Sequence, residues 1–305
     1  MKIKEVVLSK GLTGFYFDDQ KAIRKGDYVE NGLTYDGEAL TPGFTNIRQA
    51  GESVSVQLLL EDGQVAYGDC AAVQYSGAGG RDPLFLADDY IPTIEKYIVP
   101  FLEGKELTSF RSLAEAVDGI VDDEGKPLHT AIRYGVTQAI LDAVARAQHL
   151  TMVEVIVNEY DLELIPEPVL IFAQTGDDRK LNADRMIIKH VDVLPHGLFN
   201  NVNKLGKNGE HLKDYLVWLK NRVAEIKVDP NYLPDFHVDV YGTIGQAFDH
   251  DVVKMGEYVR ELTEIVAPHA LAIEGPVDLD SKAEQIELMA KLTAYVDEHN
   301  IPCKF

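Results

Sequence analysis

Residues 235–245, DFHVDVYGTIG, alternate polar with apolar side chains and then reach a glycine-bearing turn. This alternation is typical of a β-strand that ends at the turn. Asp239 lies at the end of that strand, and a carboxylate withdrawn from water needs a partner, often a metal ion. His237 and Tyr241 share the face of Asp239. They are either supporting polar groups or ordinary packing, and packing is the preferred interpretation for Tyr241.

Short apolar runs alternate with helical stretches from about residue 166 onward, and residues 235–242 form the third of five runs. Strands separated by helices predict βα units and a parallel sheet. The helical stretches include residues 211–227, 251–267 and 281–299. The other four apolar runs are residues 168–174, 186–196, 270–276 and 301–305.

The N-terminal half has a different pattern. Residues 51–70 predict two strands joined by a Glu61-Asp62-Gly63 turn, and residues 129–150 predict an amphipathic helix. The sequence therefore predicts an α/β plus α+β protein, with an N-terminal α+β domain over residues 1–160 and a β/α barrel over 161–305. An eight-unit barrel takes roughly 250 residues. The second domain is thus expected to be only the first half of a barrel, strands one to about five.

The composition limits the classes of partner and compartment. Lys plus Arg is 29 and Asp plus Glu is 50, giving a formal charge of −21, which argues against a nucleic-acid partner. Two distant cysteines, Cys70 and Cys303, make neither a disulfide framework nor a structural zinc site. The absence of a long apolar stretch or a signal-peptide pattern predicts no membrane span. A cytoplasmic location is expected.

The carboxyl ends of the predicted strands carry Gln174, His196, Asp239 and Glu274. Functional side chains of β/α barrels project from these ends. Asp239 and Glu274 lie one βα unit apart, so we expect them to be neighbours and to share a Mg²⁺ ion, which prefers oxygen ligands. His196 suits proton transfer, and Gln174 suits hydrogen bonding to a carboxylate or amide.

Each of these residues also has a purely structural interpretation. Asp239 alone is typical of a helix N-cap, His196 of a hydrogen-bonded structural histidine, and Gln174 of a loop residue. The glycine-rich residues 74–83 are either a loop that closes over a site or a plain surface turn. The acidic pairs are interpreted as solvated: Asp18, Asp19, Asp177 and Asp178.

Long blocks of the sequence resemble the methylaspartate ammonia-lyase (3-methylaspartase) family of the enolase superfamily. The resemblance implies a capping domain, a modified barrel and reversible elimination of ammonia from 3-methylaspartate to mesaconate, a step of glutamate degradation. It also implies Mg²⁺ and a monovalent activator such as K⁺. The blocks are residues 11–23, 62–85, 128–145, 172–179, 186–196, 236–249 and 273–276.

The resemblance also implies roles for individual residues. Asp239 and Glu274 match two metal ligands, His196 matches an acid/base histidine that also contacts substrate, and Gln174 and Gln74 match substrate-binding glutamines. A third carboxylate ligand and a lysine base have no match here. We therefore expect this chain alone to fall short of the family's activity. The expected partner is a small dicarboxylate amino acid, together with a homodimer or a second chain that completes the barrel. The alternative function is a non-catalytic or split-enzyme subunit.

Overall fold

The computed structural model describes residues 1–75, 77, 80–176 and 178–305. The predicted loop over residues 74–83 therefore lies partly outside the described residues, and Asp177 lies wholly outside them. No helix in the described ranges is both long and apolar enough to cross a membrane.

The chain divides into two compact units. The first consists mainly of Met1–Gln20, Tyr28–Gly77 and Arg81–Pro166, and the second mainly of Glu167–Phe305. The short segment Lys21–Asp27, which contains most of helix α1 (Gln20–Lys25), also belongs to the second unit.

The first unit contains an antiparallel sheet with the strand order β1-β4-β5 and a separate β2-β3 ribbon. The hairpin predicted over residues 51–70 is present as β4 and β5, and the predicted long helix is present as α5. The strands are β1 (Ile3–Asp18), β2 (Val29–Asn31), β3 (Thr34–Asp36), β4 (Arg48–Leu60) and β5 (Val65–Ala71). The helices are α2 (Ala87–Tyr97), α3 (Val99–Leu102), α4 (Phe110–Asp118), α5 (Thr130–Gln148) and α6 (Met152–Glu159).

Two glycines bring α5 unusually close to the sheet. A Cβ atom on Gly68 of β5 would lie 2.0 Å from the carbonyl oxygen of Gly135, and one on Gly135 of α5 would lie 2.4 Å from the backbone nitrogen of Cys70. Real Cβ atoms do not approach other atoms so closely. The absence of side chains at both positions therefore allows the backbones of α5 and β5 to touch, at the centre of the first unit's core.

The first acidic pair is buried, so its interpretation as solvated is wrong. Asp18 and Asp19 are each 0% exposed. Both oxygens of Asp18 accept hydrogen bonds of 2.7 Å from Arg48, and Asp19 accepts 2.8 and 2.6 Å bonds from the backbone and hydroxyl of Thr41. Burial is tolerated because each carboxylate is paired or hydrogen-bonded. Asp178, in contrast, is exposed as predicted.

The second unit contains a parallel sheet with the strand order β6-β7-β8-β9, flanked by helices as the βα pattern predicted. The buried faces of the strands and helices form one core cluster that includes Phe236, Val238 and Ile273. The strands are β6 (Val193–Leu198), β7 (Asp235–Asp239), β8 (Leu271–Glu274) and β9 (Cys303–Lys304). The helices are α7 (Leu181–Ile188), α8 (Val202–Leu205), α9 (Glu210–Ile226), α10 (Thr243–Ala247), α11 (Val252–Val266) and α12 (Lys282–Glu298).

Two of the predicted strands need correction. Residues 168–174 do not form a regular strand: isolated parallel bridges join Phe172 to Val193 and Gly176 to Gly197. Val169 is 90% exposed, so this apolar run lacks the burial that the strand prediction assumed. The run over residues 186–196 begins inside α7, and only its end belongs to β6. The pattern of a short apolar run is compatible with either a buried helix or a buried strand. Here residues 186–188 are helical and only residues 193–196 belong to the strand.

Candidate functional site

The carboxyl ends of β6, β7 and β8 bring the predicted polar residues together. Asp239 on β7 is paired in register with Glu274 on β8 and with Leu198 on β6. Residues directly opposite in a parallel ladder lie on the same face of the sheet. The two carboxylates predicted to be neighbours are therefore adjacent, at the same edge of the sheet.

His196 occupies a β-bulge in β6. Pro195 pairs with His237 and Gly197 pairs with Val238, so His196 is the extra residue between them. Its φ of 45° is in the left-handed region, which residues other than glycine rarely adopt. A bulge redirects a side chain relative to the regular alternation. Here it places the His196 imidazole, only 5% exposed as a residue, beside His237.

The two imidazoles form a pair held by an aromatic side chain. Nδ1 of His196 lies 3.1 Å from Nδ1 of His237, with the ring planes 14° apart and the centroids separated by 4.9 Å. Phe172 meets both rings nearly perpendicularly, at an interplanar angle of 83° and centroid distances of 5.2 and 5.0 Å. The three rings therefore pack against one another, with Phe172 itself 49% exposed.

Two carboxylates surround the histidine pair. Nε2 of His196 lies 3.7 Å from Oδ2 of Asp239. Oε2 of Glu274 lies 3.5 Å from Nδ1 of His196 and 3.5 Å from Nε2 of His237. Asp239 is buried, whereas the Glu274 side chain is 54% exposed, so the cluster opens to solvent on the Glu274 side. Oδ1 of Asp239 also accepts a 3.3 Å bond from the backbone N–H of Tyr241.

Burial makes both histidines poor cations. Burial, followed by the neighbouring His237, lowers the pKa of His196 to about 4. Burial also lowers the pKa of His237, against the opposing effect of the Glu274 charge. At neutral pH both imidazoles are therefore neutral, and one of the two Nδ1 atoms accepts a hydrogen bond from the other.

The donor atoms of this cluster fit a divalent cation. One ligand atom each from His196, His237 and Glu274 lie within 4.8 Å of one another. Asp239 adds a buried carboxylate beside them. The carboxylate oxygens suit Mg²⁺, whereas imidazole nitrogens suit softer metals. The three ligand atoms that lie this close are two imidazole nitrogens and one carboxylate oxygen. The assignment of Asp239 and Glu274 as Mg²⁺ ligands stays a prediction.

Two models of one known protein family match this chain. The family model described as methylaspartate ammonia-lyase N-terminus matches residues 1–161, and that described as methylaspartate ammonia-lyase C-terminus matches residues 163–305. The chain belongs to the methylaspartate ammonia-lyase family. The resemblance noted in the sequence is thus confirmed.

The chain is similar to other methylaspartate ammonia-lyases along nearly its whole length. The methylaspartate ammonia-lyase of Clostridium tetanomorphum is 56% identical over 302 residues, which cover 99% of this chain and 73% of the relative. A magnesium complex of β-methylaspartase from the same organism aligns with a TM-score of 0.84 at 55% identity, covering 99% of this chain and 73% of that one. The Citrobacter amalonaticus enzyme, solved with (2S,3S)-3-methylaspartic acid, gives a TM-score of 0.91 at 48% identity over 99% of this chain and 74% of that one.

A more distant neighbour confirms the fold class. Muconate lactonizing enzyme from Pseudomonas fluorescens aligns with a TM-score of 0.56 at 16% identity, covering 95% of this chain and 64% of that one. At this identity the likeness concerns the fold alone. Together with the family members, it confirms the predicted fold class, a capping domain and an α/β barrel.

The two glutamines predicted to bind substrate, Gln174 and Gln74, lie in different compact units. Gln174 is exposed, two residues after Phe172, and forms no hydrogen bond to the cluster among the residues that the structure describes. Gln74 lies in the first compact unit, where its Nε2 donates a 2.7 Å hydrogen bond to Oδ2 of Asp18. The roles of both as substrate ligands stay predictions.

Two members of the cluster were not predicted with a definite role. For His237 the sequence allows either a supporting polar group or ordinary packing, and it does not distinguish Phe172. The available signal was the spacing: His237 lies two residues before Asp239, on the same face of β7. No comparable signal existed for Phe172, because its contact with the histidines depends on how residues 171–176 run alongside β6.

Proposed function

We propose that this protein catalyses the Mg²⁺-dependent, reversible elimination of ammonia from 3-methylaspartate to give mesaconate. The observation that carries the proposal is the pairing of Asp239 with Glu274 at one edge of the sheet, with His196 Nε2 3.7 Å from Asp239. Family membership and the magnesium complex of the Clostridium tetanomorphum relative support it. They favour a carbon–nitrogen lyase over a non-catalytic subunit.

The reaction breaks a C–H bond and a C–N bond and forms a carbon–carbon double bond. The proton leaves the carbon next to the substrate's second carboxylate, and ammonia leaves the adjacent carbon. When bound, Mg²⁺ would stabilise the negative charge that develops on that carboxylate. Asp239 and Glu274 would hold the ion, which also offsets the repulsion between their two carboxylates.

The remaining site residues act on the substrate itself. We assign to His196 the movement of a proton on one face of the substrate, because its imidazole lies at the strand ends within 3.7 Å of Asp239 and 3.5 Å of Glu274. The neutral state of His196 at pH 7 suits a proton acceptor. Gln174 and Gln74 are proposed to bind the substrate through their amide groups.

Further features of the proposal concern cofactors, assembly and domains. K⁺ as a monovalent activator, a homodimer or a second completing chain, and a cytoplasmic location all stay predictions. Light scattering of the purified protein measures the oligomeric state. We propose a domain boundary at residues 160/161, which the bounds of the two family-model matches support.

The deciding experiment follows ammonia release and mesaconate absorbance with increasing Mg²⁺. We expect Asp239→Asn to weaken Mg²⁺ binding, measured by calorimetry, and to abolish turnover, because it removes one of the paired carboxylate charges. Asp297→Asn makes the same charge change at an exposed position of α12 and should leave both unchanged. Equal Mg²⁺ affinity in wild-type protein and Asp239→Asn would contradict the metal assignment.

The same assay addresses the need for a second polypeptide. Turnover is compared with and without a C-terminal barrel fragment of the Citrobacter amalonaticus enzyme supplied in trans. Protein that releases no ammonia in either condition, yet binds Mg²⁺ through Asp239, would favour the non-catalytic alternative.

A further inference from the structure

The second unit contains a cavity of about 590 Å³, a volume typical of small-molecule sites. It lies between the residues that precede α7 and the first half of α9. None of the described residues that line it belongs to the cluster of His196, His237, Asp239 and Glu274. The lining includes Arg179, Lys180, Phe199, Asp214, Tyr215 and Trp218.

A row of aromatic rings orients two cations at this cavity. The Tyr215 ring has its centroid 5.6 Å from that of Phe199 on one side and 5.6 Å from that of Trp218 on the other. The guanidinium carbon of Arg179 lies 4.5 Å from the Phe199 centroid, and Nζ of Lys180 lies 5.5 Å from the Trp218 centroid. Both distances are within the range of a cation–π contact, which extends to about 6 Å. Such a contact holds a cation in place and leaves its charge in full.

Three charges that line the cavity have no partner of opposite sign. Within the described part of the chain, neither Arg179 nor Lys180 lies at ion-pair distance from a carboxylate, although the protein has 50 acidic and only 29 basic residues. The exposed carboxylate of Asp214, on α9, likewise has no cation at that distance. The other two charged residues of the lining, Asp178 and Lys204, offset each other in formal charge. Two positive charges and one negative charge therefore line the cavity unmatched.

Opposite charges that line one cavity without meeting suit a ligand that carries both signs. The formal charge of −21 means that the protein as a whole does not attract anions, so an anionic group must be held by local cations. Two carboxylates would match Arg179 and Lys180, and one ammonium would match Asp214. A guanidinium also matches the planar geometry of a carboxylate. Two carboxylates and one ammonium are the charged groups of an acidic amino acid.

We propose that this cavity binds an acidic amino acid, with its carboxylates at Arg179 and Lys180 and its ammonium at Asp214. The rings of Tyr215 and Trp218 provide apolar surface for the carbon chain between these groups. The lyase substrate and unbranched acidic amino acids share this chemistry, and parallel titrations distinguish them. The site does not rest on the proposed lyase reaction, because none of its residues has a role in that reaction.

Fluorescence of Trp218, the only tryptophan of the chain, reports directly on this cavity. Aspartate titrated into the protein without Mg²⁺ should change the emission saturably, and equilibrium dialysis with radiolabelled aspartate should give the same Kd. Asp239→Asn should bind aspartate equally well, because the cavity does not include Asp239. Titrations with 3-methylaspartate show whether the lyase substrate also binds. Dialysis without any saturable binding of aspartate or of 3-methylaspartate would overturn the proposal.

Variants of the charged residues test which group each one holds. Lys180→Gln should raise the Kd for aspartate about 10–100-fold, the value of one hydrogen bond to a charged group, and should also raise the Kd for succinate. Asp214→Asn should raise the Kd for aspartate but not for succinate, which has two carboxylates and no ammonium. Lys189→Gln, directly after α7, and Asp297→Asn, on α12, change exposed charges outside the cavity and should leave both values unchanged.

Two results with these variants would contradict the assignment. They are an unchanged Kd for aspartate in Lys180→Gln, and an equal effect of Asp214→Asn on aspartate and succinate. Protein that shows the expected binding but no lyase activity would reject the proposed function and keep this site.

Discussion

Replacement of Arg48 by alanine should strongly destabilise the first compact unit. Arg48 is the charged partner of Asp18, whose side chain is 1% exposed, and it makes two 2.7 Å hydrogen bonds to that carboxylate. It also donates a 2.9 Å bond to the carbonyl oxygen of Leu33 and lies 4.8 Å from the ring centroids of two tyrosines. Removal of one partner of a buried ion pair costs about 3–5 kcal/mol, because the other charge stays buried without compensation.

The value for Arg48→Ala should fall toward the lower end of this range. Asp18 keeps the 2.7 Å hydrogen bond from Gln74 and so retains part of its stabilisation. We therefore expect a loss of about 3 kcal/mol in the free energy of unfolding. Arg48→Lys should lose less, because a lysine keeps the charge but not the planar two-point contact.

Urea unfolding followed by fluorescence measures the free energy for Arg48→Ala, Asp18→Asn and the double variant. The double variant should be more stable than the sum of the two single losses implies, since each single loss includes the penalty for an unmatched partner. Additive losses, or an Arg48→Ala variant within about 0.5 kcal/mol of wild type, the size of an ordinary surface substitution, would refute the reasoning. Because Asp18 also holds Gln74, the KM for 3-methylaspartate should rise in Arg48→Ala if Gln74 binds substrate.

Three further predictions concern proton transfer, packing and pH. His196→Ala should impair one diastereomer of 3-methylaspartate more than the other in ammonia-release assays, and equal small effects would assign it a structural role. Gly135→Ala should destabilise the protein by at least about 1–3 kcal/mol in urea unfolding, since its Cβ would lie 2.4 Å from a backbone nitrogen of β5. Gly14→Ala, where a Cβ meets nothing within 4 Å, is the control. The hydrogen bonds from Arg222 lower the pKa of Asp184, so this pair stabilises the fold above the unfolded pKa of about 3.9 and loses that contribution as the pH falls through the lower folded value. Asp184→Asn should therefore flatten the acid side of the stability profile, and an unchanged slope would contradict it.

The sequence correctly predicted the strands whose residue pattern is compatible with only one type of secondary structure. Residues 235–239 alternate strictly, and both this strand and residues 271–274 occur as expected. The helix over residues 181–188 was missed because Ala183, Met186 and Ile187, which are buried at helical spacing, continue into a run that also resembles a strand.

The site was predictable where it depends on strand ends alone. Asp239 and Glu274 are neighbours because parallel strands end at the same edge, and this needs no knowledge of side-chain packing. The burial of Asp18 was not predictable, because its partner Arg48 lies 30 residues away and a polar pattern does not reveal it. The contact of His196 with His237 likewise depends on a bulge that alternation cannot show.

Because His196 lies in a bulge, its side chain contributes to the site without taking part in the pairing of the sheet. The pairing offset between β6 and β7 changes by one residue across it, and regular pairs continue on both sides at Pro195 and Gly197. His196 thus contributes no ladder pair of its own, and its positive φ is a conformation that glycine adopts at lower cost. Selection for stability alone would favour a glycine here or the loss of the residue altogether. The protein thus keeps at this position a residue that its sheet does not require, and the position is free to change its chemistry while the strands around it stay paired.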